Sequence, residues 1–253
     1  MIAKLTFPMM YSIAKGENDE KVKLRYAHKA AENIGLMTQY LVFTTWGFIV
    51  LKNSLIMPWF MGGNFDGPTA FANCFTTLPY NEVPREIYIW FLYSSGPYFG
   101  ELVAHLFWDE RRNDFGEMLL HHLATILLVF GSAYANMVAV GAIISWLHIV
   151  SDWPCCLLRA LSSTVYEKTT VFCYVSIMLT TFLYFRLVCL PYWVFSIVLK
   201  PEVVAYPEEL SHYNIFLRLN GVYLLFIQAL QVYWYGLFLK ILYDAAVYGK
   251  TED

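Results

Sequence analysis

The chain has 253 residues, of which 58% are hydrophobic, 18% aromatic and only 15% charged, with a formal net charge of -3. A soluble domain carries about 25% charged and roughly 45–50% apolar residues, so this balance excludes an ordinary soluble globule. It also offers no basic surface for nucleic acid, and the length leaves no room for a large soluble domain beside the apolar runs.

The first twelve residues hold Lys4 and a modest apolar stretch broken by Pro8. No cleavage site follows, so no secretory signal is expected. Lys21, Lys23, Arg25 and Lys29 then suit a solvated amphipathic segment facing lipid headgroups. Residues 1–28 are therefore assigned to a polar, basic N-terminal segment.

About 20 mostly apolar residues cross roughly 30 Å of hydrocarbon. Six runs meet that length, at 35–57, 87–107, 118–135, 138–160, 171–199 and 215–243. The third and fourth meet at a tight turn near Asn136 and should form an antiparallel hairpin. The long connection 58–86 holds Gly62, Gly63, Gly67, Pro68, Pro79 and Pro84, which marks a structured or re-entrant loop and not a span. No internal repeat is visible. The expected fold is an all-α polytopic membrane protein, with six transmembrane helices over 29–245 and a short polar tail over 246–253.

Twelve Lys and Arg residues fall on the side of the N-terminus and four, Lys52, Arg85, Lys200 and Arg218, on the other; Arg186 lies within a span. Both termini are expected to be cytosolic, or on the matrix side of a mitochondrial membrane. The five cysteines, Cys74, Cys155, Cys156, Cys173 and Cys189, form no CxxC pair. They read as reduced packing residues.

Ionisable groups at bilayer depth are expensive and so draw attention. Span three carries Glu117, His121 and His122. Glu117 and His121 are four apart and share a face, whereas His122 is turned about 100° from His121. Span four carries His148 and Asp152, again four apart, with Ser145 and Ser151 nearby. Asp152 is placed to hold His148 in one tautomer. Span two carries Glu101 and His105. Arg186 in span five calls for backbone carbonyls or a buried carboxylate.

Three chemistries remain open for these residues. One is acid–base or nucleophilic catalysis by histidine. Another is metal ligation, although the spacing does not match HExxH. The third is mutual satisfaction of buried polar groups that holds the helices together.

At these positions the sequence resembles the TLC family, the domain shared by ceramide synthases and their relatives. The stretch from Asp109 to Thr125, a charged turn leading into His121 and His122, is similar to the family's double-histidine motif. Asn136 and Gly141 fit the hairpin after it, and His148, Ser151 and Asp152 fit the next motif. The segment from Arg186 to Trp193 resembles the fifth-span signature. Lys29 with Glu32, Pro58 with Trp59, and Gln231 with Trp234 match more loosely.

The resemblance implies a lipid-accessible cavity and transfer of a fatty acyl group from acyl-CoA to the amine of a long-chain base. His121 and His122 would then supply the nucleophile or general base, His148 would assist proton transfer and Asp152 would orient or charge-balance it. Glu117, Ser151 and Arg186 would line the cavity or support those residues, and Glu101 and His105, which the family pattern does not require, are candidates for the same place. No metal and no cofactor is implied, acyl-CoA being a substrate.

The sequence departs from the family at three places. Ile149 stands where the family has aspartate after the later histidine, Cys156 where it has an acidic residue, and Ala139 where the hairpin has a basic one. Pro154 is expected to interrupt the helix after Asp152. The extra N-terminal span and homeobox-like segment of many ceramide synthases are not expected.

Two functions are consistent with this pattern. One is a ceramide-synthase-like acyltransferase acting on fatty acyl-CoA and a long-chain base. The other is a catalytically silent TLC-fold subunit that binds lipid within a larger membrane complex. The family implies the endoplasmic reticulum; the second reading admits the mitochondrial inner membrane. Membrane lipids are partners in both, other membrane subunits in the second, and nucleic acid in neither.

Overall fold

The computed structural model describes residues 2–16, 18–76, 82–107, 115–199 and 208–248. Among these the secondary structure is helical, with two isolated β-bridges, Ala14 to Thr164 and Pro58 to Phe65. The helices are α1 (Ile2–Ile13), α2 (Glu20–Lys52), α3 (Gly67–Asn73), α4 (Arg85–Phe107), α5 (Phe115–Tyr134), α6 (Val138–Ser162), α7 (167–199) and α8 (Asn214–Tyr248).

Five of them are long and apolar enough to cross a membrane: α2, α5, α6, the Lys168–Leu199 part of α7 and the Asn214–Asp244 part of α8. The protein is thus a polytopic all-α integral membrane protein. The second expected span is a helix at its expected place, α4, with 23 residues. It falls short of the other five because Ser94, Ser95, Gly96, Pro97, Gly100, Glu101 and His105 dilute its apolar surface.

The first span is longer than expected at its start and shorter at its end. The basic residues from Lys21 to Lys29 are the opening turns of α2, so residue 28 falls inside a helix. Asp19 caps it: its carboxylate accepts from the backbone N–H of Lys21 at 2.9 Å and of Val22 at 3.3 Å. No Pro interrupts the next 33 residues, which rise about 50 Å and so outreach a hydrocarbon core of about 30 Å. The helix stops at Lys52 rather than 57.

Pro154 does not interrupt α6, which runs through it from Val138 to Ser162. A proline removes one N–H and frees the carbonyl of Val150 without forcing a break where packing holds the helix. The hairpin at Asn136 is present. Asn136 is left-handed (φ 50°). Its N–H donates to Ala133 O at 3.3 Å and the Met137 N–H donates to Ser132 O at 2.7 Å, a Schellman closure of α5.

The chain clusters into two compact units. The first comprises Met1–Thr45, His148–Arg186 and Tyr235–Asp253. Here α1 packs on the start of α2 through Met10, Ala30 and Ala31, flanked by Phe7 and Ile34. Its end is tied down by Lys15 N–H to Ser163 O and Val165 N–H to Ile13 O, both 3.1 Å. A second cluster joins Tyr174, Met178 and Leu179 to Leu158, Phe238 and Leu242. Two stretches of α7, Tyr174–Leu179 and Leu183–Cys189, are π-helical.

The second unit comprises Trp46–Leu147 and Leu187–Trp234. The loop after α2 is structured, as expected. Gly62 takes φ 94° to turn the chain, and Asp66 caps α3 by accepting from Thr69 N–H at 3.0 Å. Phe71 and Met61 are buried against Trp193, whose indole N–H points at Met61 Sδ, 3.4 Å away. Gly47 is obligatory in this unit, because a Cβ there would lie 2.6 Å from both Trp90 and Trp146. Pro79 lies outside the described residues.

Candidate functional site: two polar clusters at membrane depth

In the second unit, the adjacent histidines of α5 diverge as a 100° step requires. His121 meets the edge of Trp234 of α8, with ring centroids 5.1 Å apart. His122 is buried and turns toward His105 of α4, 5.5 Å away. The two histidine rings of α5 are 5.7 Å apart, so three imidazoles form one chain from α4 to α8.

His105 is held on its ring face and at one nitrogen by Phe115. It stacks on Phe115 at 4.3 Å, and its Nε2 lies 3.0 Å from the Phe115 carbonyl oxygen. A carbonyl only accepts, so Nε2 carries the proton and donates. Glu101 is one turn before His105 on α4, and Glu117 one turn before His121 on α5. The charged stretch from Asp109 to Asp114, which anchors the double-histidine resemblance, lies outside the described residues.

In the first unit, the helical spacing of α6 puts His148, Ser151, Asp152 and Cys155 on one face. Arg186, only 3% exposed, grips it. Its Nε donates to Ser151 Oγ at 2.5 Å, and its Nη2 donates to the His148 carbonyl at 2.8 Å and to Asp152 Oδ1. The guanidinium also lies over the Phe182 ring at 5.5 Å. Ser151 Oγ passes the chain on to His148 O at 3.0 Å.

Both partners foreseen for Arg186, a carbonyl and a carboxylate, are therefore used at once. The role foreseen for Asp152 is different in the structure. Among the described residues its carboxylate is bonded to Arg186 and not to His148, because the charged guanidinium is the stronger partner for a buried carboxylate. Ile149, Cys156 and Ala139, at the three positions of departure from the family, are all buried.

Cys74, Cys155, Cys156, Cys173 and Cys189 are all free thiols. Cys155 donates to Ser151 O at 3.3 Å and Cys74 to Ala70 O at 3.4 Å, the local bonds of packing residues. Cys74 lies outside the spans, and burial alone pushes its thiol far above the usual range. Two polar groups near the histidines, one hydroxyl and one backbone carbonyl, were not singled out from the sequence. Thr125 is one turn from His121, and the carbonyl of Phe115 sits beneath His105. Helical spacing from His121 points to the first; no sequence signal marks a backbone carbonyl.

The chain is similar to several ceramide synthases. Human ceramide synthase 5 is 30% identical over 226 residues, which is 88% of this chain and 53% of that protein. The Caenorhabditis elegans ceramide synthase hyl-2 is 26% identical over 187 residues, 72% of this chain and 56% of the relative. The Arabidopsis thaliana ceramide synthase 1 LOH3 is 26% identical over 193 residues, 73% of this chain and 59% of the relative. The chain thus spans about half the length of the curated relatives it matches. The TLC domain matches residues 29–240, most of the chain, and on that match the protein belongs to the TLC domain family.

Proposed function

We propose that this protein is a membrane lipid N-acyltransferase that moves a fatty acyl group from acyl-CoA to the amine of a long-chain base. The observation that carries the reading is the imidazole chain His105, His122 and His121 inside a membrane bundle, with one tautomer fixed by the Phe115 carbonyl.

The chemistry needs a proton acceptor. As the neutral amine attacks the thioester carbonyl, the nitrogen must lose a proton and the thiolate must leave. A histidine that takes the amine proton and returns it to the departing sulfur balances the step. The same imidazole acting first as nucleophile would pass through an acyl-imidazole, release CoA thiol and then yield the amide. His121 and His122 are the residues proposed for this role. Alkyl tails gain about 0.8 kcal/mol per methylene on leaving water, so a bundle interior suits both substrates. His148 is proposed to assist proton transfer. Asp152, held by Arg186, is proposed to balance charge rather than orient the imidazole.

A second reading has its own support: Ile149 is buried where the family has a carboxylate, and Asp152 is engaged in an ion pair. It makes the chain a silent lipid-binding subunit of a larger assembly. One experiment separates them. The protein is purified into nanodiscs and assayed with acyl-CoA and a long-chain base, beside His121→Ala and His122→Ala. Transfer that falls at least about 100-fold in the variants supports catalysis. No transfer by the wild-type protein, isolated in a stoichiometric complex, supports the subunit. The endoplasmic reticulum is the membrane proposed for the enzyme.

A further inference from the structure

We propose that Gln231 and Thr125 form a polar shelf, one helical turn from His121, that selects lipids carrying a secondary amide. The inference deepens the acyl-transfer reading and rests on it for the identity of the bound lipid.

Three contacts fix the register of α5 against α8. His121 meets Trp234 at 5.1 Å, Gly131 lies against the amide of the Asn220 side chain, and Tyr134 meets Phe216 at 5.0 Å. The helices therefore run antiparallel. One turn along α5 from His121 stands Thr125, and one turn along α8 in the matching direction stands Gln231. Asn220, Leu224, Ile227, Gln231 and Trp234 recur every three or four residues, so Gln231 belongs to the stripe that meets α5.

Gln231 is completely buried, yet among the described residues neither its amide oxygen nor its amide nitrogen has a hydrogen-bond partner. The buried hydroxyl of Thr125 has none either. Protein interiors, and membrane interiors more so, rarely leave such groups unmatched. Leucine and valine would fill the same space without a polar cost. A primary amide presents one acceptor and two donors, and a hydroxyl adds one of each. A secondary amide is trans, with its N–H and carbonyl on opposite edges, so one residue of the shelf accepts from the N–H while the other donates to the carbonyl. An ester has no N–H and can form only one of these two bonds. Placed a turn from His121, such a shelf would hold the amide that acyl transfer creates.

The test is equilibrium binding in nanodiscs, read by competition between a ceramide and a diacylglycerol with the same chains. The wild-type protein is expected to prefer the ceramide by about tenfold, the worth of one added hydrogen bond. Gln231→Met, close in volume, should bind both equally, and Thr125→Val should narrow the preference. Equal binding by the wild-type protein overturns the proposal, as does a preference that survives in Gln231→Met. Acyl transfer is measured on the same samples. Transfer without the preference overturns the shelf alone. The preference without transfer overturns the catalytic reading and leaves an amide-lipid site.

Discussion

Arg186 closes on Asp152 across 34 residues of sequence, and the same guanidinium also holds Ser151 and the His148 carbonyl. Removing one member of a buried ion pair leaves the other charge uncompensated. Arg186→Met is therefore expected to cost about 3 kcal/mol or more, measured as thermal unfolding in detergent. Arg186→Met with Asp152→Leu should recover much of that loss. Equal stability of the single variant and the wild type would show that the clamp contributes nothing.

If the protein transfers acyl groups as proposed, His105 is a positioning residue that acts through His122 and Phe115. His105→Phe removes the N–H that reaches the Phe115 carbonyl and is expected to lower kcat for acyl transfer about tenfold with little change in KM. His105→Gln, which keeps a donor, should restore most of the rate. The pH profile of kcat should shift for His105→Phe and not for His105→Gln. A purely structural role would change protein yield and leave both the profile and the KM-against-kcat split untouched.

The turn between α5 and α6 depends on the left-handed backbone of Asn136. Asn136→Val forces a β-branched residue into that conformation at a cost of about 1–2 kcal/mol. Asn136→Gly should be neutral or slightly stabilising. Paired melting curves of the two variants check the ordering.

Asp66 is exposed, and its hydrogen bonds from Thr69 hold its carboxyl below the usual range, the backbone N–H contributing most. A carboxyl depressed in the folded state stabilises it above the unfolded value of about 3.9 and loses that effect as pH falls through the lower folded value. Amide exchange over Gly67–Asn73 should accelerate below about pH 4 relative to the rest of the protein, after correction for intrinsic rates. Asp66→Asn keeps a cap and should abolish that selective acceleration.

The helical spans were legible because apolar runs of membrane length have few other uses, and the hairpin because Asn136 separates two such runs. The early start of α2 was hidden by its basic residues, which resemble a surface segment yet are good helix formers. Pro154 misled for a related reason: the penalty of a proline is judged in water, while α6 stays helical through it in a packed bundle. Adjacent histidines on a helix must diverge, so the separate directions of His121 and His122 were readable. That His122 would face His105 required the pairing of α4 with α5, and the capture of Asp152 by Arg186 required the fold. Local spacing favoured His148, four residues away, over a guanidinium 34 residues away.

The π-helical stretches of α7 have a consequence for how its sequence tolerates length change. Within the first unit this helix is anchored twice, by Tyr174, whose hydroxyl donates to Phe238 O at 2.6 Å, and by Arg186 on α6. Each π turn accommodates one more residue than an α turn, so the stretch between the anchors stores spare residues. Deleting one within Tyr174–Leu179 could be absorbed by tightening to α geometry. The same deletion in Thr180–Phe182, already α-helical, would unphase the anchors and turn the guanidinium away from its carboxylate.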